Sequence, residues 1–334
     1  MTQTIAPPDN AAKPDELADL ADLSPRHAKW DKRKADSLTA AAIIKQRHPK
    51  KAAKIDACCD QIALQWHEDP TGERFGKVTG THRCRNPKVC DVCATTKANQ
   101  WRRELGEALP RIVKDYPAFR FVFLTLTVRN CPSSELRATL KAMSAAWFKL
   151  IRRREVATIL KGFLRGTEVT RGEDGSAHPH FHALLIVPAH YFSGQSYINQ
   201  KRWRQLWQES ARLDYDPSVN VKAAKKGAEM FEDVIKIAAY SVKKSEAVAD
   251  PEWFNDYHDQ TLGFRFTNTG GLFRDYLKDE PATTVPDDED GAETEAPKEA
   301  KALDEIDVFK YERPRKRYRK IRSIARPVEP NSSA

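Results

Sequence analysis

Three groups of residues in this chain have the types and spacing to do chemistry. The first is His178-Pro179-His180-Phe181-His182, which leads directly into the apolar run Ala183-Leu184-Leu185-Ile186-Val187. Side chains alternate along a strand, so His178, His180 and His182 should project to one side. Imidazoles converging at the end of a buried strand suit a metal site, with a solvated strand edge as the plainer alternative. The second group is Cys84, Cys90 and Cys93. Two residues between the thiols of Cys90 and Cys93 let both bind one tetrahedral ion, Cys84 supplies a third ligand, and Cys58 is the expected fourth, with Cys59 and His82 as competitors. Such a closed set would hold structural zinc and do no catalysis. The third is Tyr240, with Lys236, Lys243 and Lys244 on the same face of a helix expected over residues 231–247. Nearby cations favour a phenolate, although a lone tyrosine there reads as a packed aromatic.

These groups sit in a chain of 334 residues with a net charge of +9 and 31% charged residues. That balance favours a polyanionic partner over an acidic-surface enzyme. No stretch approaches the roughly 18 apolar residues of a membrane span, and the acidic N-terminus has no signal-peptide core. A reducing cytoplasm is therefore expected, in which six cysteines are metal ligands or free thiols.

The elements that must position these residues are expected as follows. Phe119 to Val128 reads as a central strand, apolar except for Thr125 and Thr127. Residues 135–159 have a helical apolar period with a basic end, and residues 197–212 form a second amphipathic helix. A helix from about Lys97 to Tyr116 should break at Pro110. Gly162 to Thr170 is a strand, and Arg171 to Ser176 a hairpin loop. Centring that loop on Asp174 puts Glu168 opposite His180, which makes Glu168, His180 and His182 a three-ligand site with open positions. A one-residue slip would turn Glu168 away. The division expected is a disordered tail over 1–40, a basic zinc-binding module over 41–105, a main domain over 106–280, and a disordered acidic linker with a basic tail over 281–334. In that tail Arg315, Lys316, Arg317, Arg319 and Lys320 read as phosphate-binding.

Phe123-Leu124-Thr125-Leu126-Thr127, the His180-Phe181-His182 setting and Tyr240-Ser241-Val242-Lys243 resemble the three ordered motifs of the HUH endonucleases, and most closely those of plasmid rolling-circle replication initiators. The likeness extends through Cys84–Cys93 with Trp101, residues 162–170, Trp203–Trp207 and residues 265–271, roughly residues 45 to 277 in all. The resemblance implies an α+β fold: an antiparallel sheet with packed helices, ferredoxin-like or RRM-like, preceded by the small zinc module. It implies attack by Tyr240 on one strand of the origin, giving a 5′-phosphotyrosine and a priming 3′-hydroxyl. His180 and His182 would hold Mg²⁺ or Mn²⁺, with Glu168 as third ligand and His178 competing for that place, while Lys243 would position the phosphate. Nitrogen ligands favour Mn²⁺ on softness. The implied partners are double- and single-stranded plasmid origin DNA and the host helicase and polymerase. In the nearest relatives a glutamate four residues before the tyrosine activates water to end the replication round. Lys236 stands there in this chain, and Glu232 and Asp233 are alternative carboxylates without the matching spacing. Two other classes fit parts of the pattern: a zinc-dependent DNA-binding regulator that does not cleave, and a metal-dependent phosphodiesterase that uses water.

Overall fold

The structure, a computed structural model, describes residues 18–224, 228–239, 247–278 and 300–325. A single-turn helix α1 (Leu20–Leu23) leads to α2 (Lys29–Ile44) and α3 (Pro49–Asp56), then to strands β1 (Gln61–Glu68) and β2 (Arg74–Thr81). Helix α4 (Asp91–Asp115) precedes β3 (Phe119–Thr127), α5 (Leu136–Arg152), α6 (Arg154–Ile159), β4 (Gly162–Arg171) and β5 (Ala177–Pro188). There follow α7 (Gln200–Ala211), β6 (Val219–Ala223), α8 (Ala228–Ala239) and α9 (Pro251–Thr261). The last elements are β7 (Thr267–Gly271), α10 (Leu272–Lys278), β8 (Lys301–Glu312) and β9 (Arg317–Ala325).

The larger sheet has the order β6-β3-β5-β4-β7, with every neighbouring pair antiparallel. Strand β5 is apolar on both faces because each face is covered. Phe181, Ala183, Leu185 and Val187 pack with Val122, Leu124 and Leu126 of β3 against Trp147 of α5 and Trp203, Leu206 and Trp207 of α7. Leu184 and Ile186 point the other way, with Leu164, onto Leu105, Leu109 and Ile112 of α4, Val234 of α8 and Phe273 of α10. Burying each such side chain contributes about 1.5–3 kcal/mol, so the alternation itself fixes which residues of β5 face α8. The histidines fall on the α8 face.

The smaller sheet has the order β2-β1-β8-β9, and β1 pairs with a strand from the far end of the chain. Ile62 and Leu64 share a core with Trp30, Phe309, Tyr311 and Tyr318. Asp307 is buried within this unit and accepts from Trp66 Nε1 at 2.9 Å and Ser323 Oγ at 2.7 Å, with Lys320 Nζ at 2.8 Å.

Three expectations are corrected here. Residues 18–40 are not a disordered tail: α2 starts at Lys29 and buries Trp30 at 1% exposure. Residues 301–325 are not one either, because β8 and β9 complete the small sheet, so the N-terminal module is closed by C-terminal strands. Helix α4 runs through Pro110 without ending. Pro110 leaves the Gly106 carbonyl without its helical donor, but both residues are exposed, so water can replace it. The acidic run of 281–299 and residues 1–17 lie outside the described residues.

Candidate functional site

The β4–β5 hairpin turns at Asp174. Its carboxylate accepts from Ser176 N at 3.0 Å and Ser176 Oγ at 2.6 Å, and Gly175 takes φ +80, a conformation costly for a side chain. That turn sets the register, in which Glu168 lies opposite His180 and Gly166 opposite His182. One carboxylate oxygen, Glu168 Oε2, lies 2.8 Å from His180 Nε2 and 3.0 Å from His182 Nε2. The second ring nitrogens have partners of their own: His180 Nδ1 lies 3.3 Å from the His178 carbonyl and His182 Nδ1 3.2 Å from Thr125 Oγ1. Such partners fix ring orientation and leave Nε2 to serve as a ligand atom. Burial pushes the Glu168 carboxyl up, but the two imidazoles outweigh it and hold the pKa at about 2. Two nitrogens and a permanently ionised oxygen, all within 4.8 Å of one another, fit a divalent cation.

His178 is not part of this group. It sits at the turn end of the strand with Nδ1 2.5 Å from Asn130 Oδ1, its ring centroid 5.3 Å from that of His180. Burial, reinforced by His180, pushes its pKa down. The trio suggested by the sequence is therefore a pair plus a carboxylate.

A cavity of about 520 Å³ opens beside the pair, lined by Glu168, His182, Lys222, Asp233, Lys236 and Ile237. Its wall is the last turn of α8, which reaches the sheet because position 166 is glycine. A Cβ on Gly166 would meet the carbonyl carbon of Ile237 at 2.9 Å, with the carbonyl oxygen closer still. Thr267 Oγ1 donates to the Ala238 carbonyl at 2.9 Å and ties down the same turn. Glu232 turns away to pair with Arg102 at 2.7 Å, whereas Asp233 faces the cavity with Lys236 Nζ at 3.1 Å. Tyr240 and Lys243 lie outside the described residues; Ala239, one position before Tyr240, ends α8.

The second cluster joins Cys58, Cys84, Cys90 and Cys93. The Sγ atoms of Cys58 and Cys93 are 3.7 Å apart, those of Cys84 and Cys93 3.5 Å, and those of Cys90 and Cys58 3.6 Å. Four thiolates at about 2.3 Å from a tetrahedral zinc have edges of about 3.8 Å, so the cluster fits that ion. Contacts with Cys58, Cys84 and Cys93 push the Cys90 thiol down, and contacts with Cys58, Cys90 and Cys93 push Cys84 up. Among the rival fourth ligands, Cys59 lies outside the cluster with φ +50, and His82 is exposed. Residues from α4's start, the loop after β2 and the turn before β1 thus meet at one point.

The five basic residues assigned to phosphate binding are mostly engaged within the fold. Arg319 is 4% exposed and lies near Asp19 and Glu312, Arg317 pairs with Asp19 at 2.9 Å, and Lys320 pairs with Asp307. Arg315 lies 3.6 Å from Glu312, and Lys316 takes φ +53 in the hairpin turn. These charges serve the small sheet, because Glu312 and Asp307 belong to its β8 strand and Asp19 ties β9 to the N-terminal segment. Sequence reasoning missed Gly166 and Asn130 altogether. Thr125 carried a signal, as one of two threonines at the end of a largely apolar strand.

Comparison with known proteins gives a consistent picture. The replication protein family matches residues 75–319. Protein rep of Streptococcus pneumoniae serotype 2 is 30% identical over 256 residues, which is 75% of this chain and 78% of that protein. Protein rep of Lentilactobacillus hilgardii is 31% identical over 266 residues, covering 75% of this chain and 81% of its own length. A replication protein of Staphylococcus aureus is 32% identical over 184 residues, 52% of this chain and 78% of its own. No solved structure matches. Among the described residues no helix is long and apolar enough to cross a membrane. The match spans the whole five-stranded sheet with the Glu168–His180–His182 group and, of the smaller sheet, β2 from Phe75, all of β8 and the first residues of β9, and the chain belongs to this family of replication proteins.

Proposed function

We propose that this chain initiates rolling-circle replication of a bacterial plasmid by nicking one strand of the double-strand origin and later rejoining DNA. The observation that carries the reading is the shared Glu168 carboxylate between two imidazole Nε2 atoms, on the sheet face against which α8 ends one residue before Tyr240. The strand order β6-β3-β5-β4, reached through a β-α-β-β-α-β chain path, also supports a ferredoxin-like HUH domain.

Glu168, His180 and His182 would hold Mg²⁺ or Mn²⁺, which when bound polarises a phosphodiester oxygen. Tyr240 Oη attacks phosphorus in line; the new P–O bond forms as the P–O3′ bond breaks. The 5′-phosphate stays on the tyrosine and the freed 3′-hydroxyl primes synthesis. Lys243 positions the phosphate, as does Lys222 from the cavity wall. Asp233 is the carboxylate that faces the cavity besides the metal-holding Glu168, and it activates water in the terminating step that Lys236 cannot serve. Cys58, Cys84, Cys90 and Cys93 hold Zn²⁺ and staple the N-terminal unit. The working place is the bacterial cytoplasm, with origin DNA and the host helicase and polymerase as partners.

The test is to incubate a supercoiled origin plasmid, or a single-stranded origin oligonucleotide, with the protein and Mn²⁺. A covalent protein–DNA adduct that is lost in Tyr240→Phe is expected. Cleavage that survives Tyr240→Phe would instead identify a phosphodiesterase using water, and binding without cleavage a regulator.

A further inference from the structure

A second cleft, of about 920 Å³, runs along the outer edge of β7, between α4 on one face of the sheet and α5 on the other. It is larger than the cavity beside the histidines, and its lining differs in kind. Lys97 and Trp101 come from α4, Phe148 and Arg152 from α5, Arg265 from the segment before β7 and Arg274 from α10. Glu104 is the sole acidic lining residue among those described. Arg152, Arg265 and Arg274 are exposed and make no ion pair or hydrogen bond among the described residues. Nearby arginines behave otherwise: Arg102 pairs with Glu232, Arg153 with Glu209 and Arg202 with Glu155. Phe148 is 40% exposed, on the open side of the amphipathic helix α5. The indole of Trp101 lies under the Lys97 ammonium at 5.0 Å.

Unpaired guanidinium groups and an exposed phenyl ring beside a half-buried indole in one groove match a ligand with spaced anionic charges and flat aromatic groups. Bases present their faces only when unpaired, so the fit is to a single strand rather than a duplex. The cleft also leads somewhere. Ala238 lines it, while the adjacent Ile237 lines the cavity beside His182, so the two spaces lie on either side of the last turn of α8.

We propose that the β7-edge cleft binds single-stranded DNA, stacking bases on Phe148 and Trp101 and holding phosphates with Arg152, Arg265 and Arg274. The bound strand is thereby delivered past the end of α8 to the Glu168–His180–His182 group. The choice of DNA, and the direction of delivery, rest on the proposed function; the binding itself does not.

The experiment measures fluorescence anisotropy of a labelled mixed-sequence single strand, and of the corresponding duplex, over a salt series. All variants are made in a Tyr240→Phe background, so that no covalent trapping intervenes. Arg152→Ala/Arg265→Ala/Arg274→Ala should weaken single-strand binding about tenfold or more and reduce the slope of log K against log salt by about 2, since each phosphate contact on a single strand contributes about 0.7. Phe148→Ala should weaken it about fivefold or more with the slope unchanged. Lys32→Ala/Arg74→Ala, which removes two exposed cations paired with Asp36 and Glu305 away from the cleft, should change neither. Wild-type affinity and slope in the triple variant would overturn the proposal, as would an equal loss for the duplex. If the cleft variants lose binding while the unmodified chain forms no adduct with origin DNA, the nicking reading fails and the cleft stands.

Discussion

Gly166→Ala separates the position of α8 from the metal-binding capacity of the hairpin beneath it. The added methyl would sit 2.9 Å from the Ile237 carbonyl carbon, and nearer its oxygen, with Ile237 Cγ2 at 3.2 Å. Both nearest atoms are backbone, so no side-chain rotation relieves the overlap. Bringing these contacts to an ordinary separation requires the last turn of α8 to lift by about 1 Å, an overpacking that costs about 1–3 kcal/mol. At about 2–4 °C per kcal/mol, Tm should fall by only a few degrees. The displaced turn leads directly into Tyr240, and a misplacement of about 1 Å at a reacting group costs about 100-fold in rate. Adduct formation on an origin oligonucleotide should therefore drop by roughly that factor. Manganese affinity, measured by calorimetry, should hold near wild type because Glu168, His180 and His182 belong to the hairpin and not to α8. Adduct formation within a few-fold of wild type would refute the argument, and so would loss of manganese binding.

Cys84→Ser should remove bound zinc, read by elemental analysis, and lower Tm by about 10 °C if the lost ligand costs about 3 kcal/mol; zinc affinity in the unmodified chain should fall with pH because thiols must lose their protons to bind. His258 is 2% exposed, and burial followed by the Lys51 charge lowers its pKa from 6.5 to about 4. The native state thus keeps it neutral, so its contribution to stability is complete above pH 6.5 and declines as pH falls toward 4. By pH 5 the loss is about 2 kcal/mol, and His258→Gln should shrink the difference in urea midpoint between pH 7 and pH 5. Asp233→Ala should slow release of covalently held DNA while Glu232→Ala leaves it unchanged; equal behaviour of the two would remove Asp233 from the terminating step.

The parts of this protein that were readable from sequence are those whose determinants are local. The turn at Asp174 lies between two apolar strands, so counting outward from it along the sequence pairs Glu168 with His180, as the sheet does. Strand β3 announced itself by its density of aromatic, aliphatic and β-branched residues, and the cysteine quartet by its spacing. What escaped was non-local. The segment 317–325 reads as a solvated basic tail because nothing within it shows that Asp19, Glu312 and Asp307 wait to neutralise it. Tyr318, fully buried between charged neighbours, was the one hint of alternation. Likewise β1 carried no mark of the partner more than 200 residues away, to which Ile62 joins Phe309. Gly166 looked like any glycine in a strand, since only the helix lying over it gives it a purpose.

The pairing of β1 with β8 also fixes an order of events. Every strand of the five-stranded sheet lies between residues 119 and 271, whereas the four-stranded sheet lacks half of its strands until residues 301–325 are present. A growing chain therefore carries a complete large sheet, with its acidic and imidazole ligands assembled, before the unit holding the four cysteines can shut. Topologically the large domain is an insertion within the small one, and a chain cut short after α10 would keep the former and lose closure of the latter. Shutting the small sheet is thus a built-in report that synthesis has run through β9.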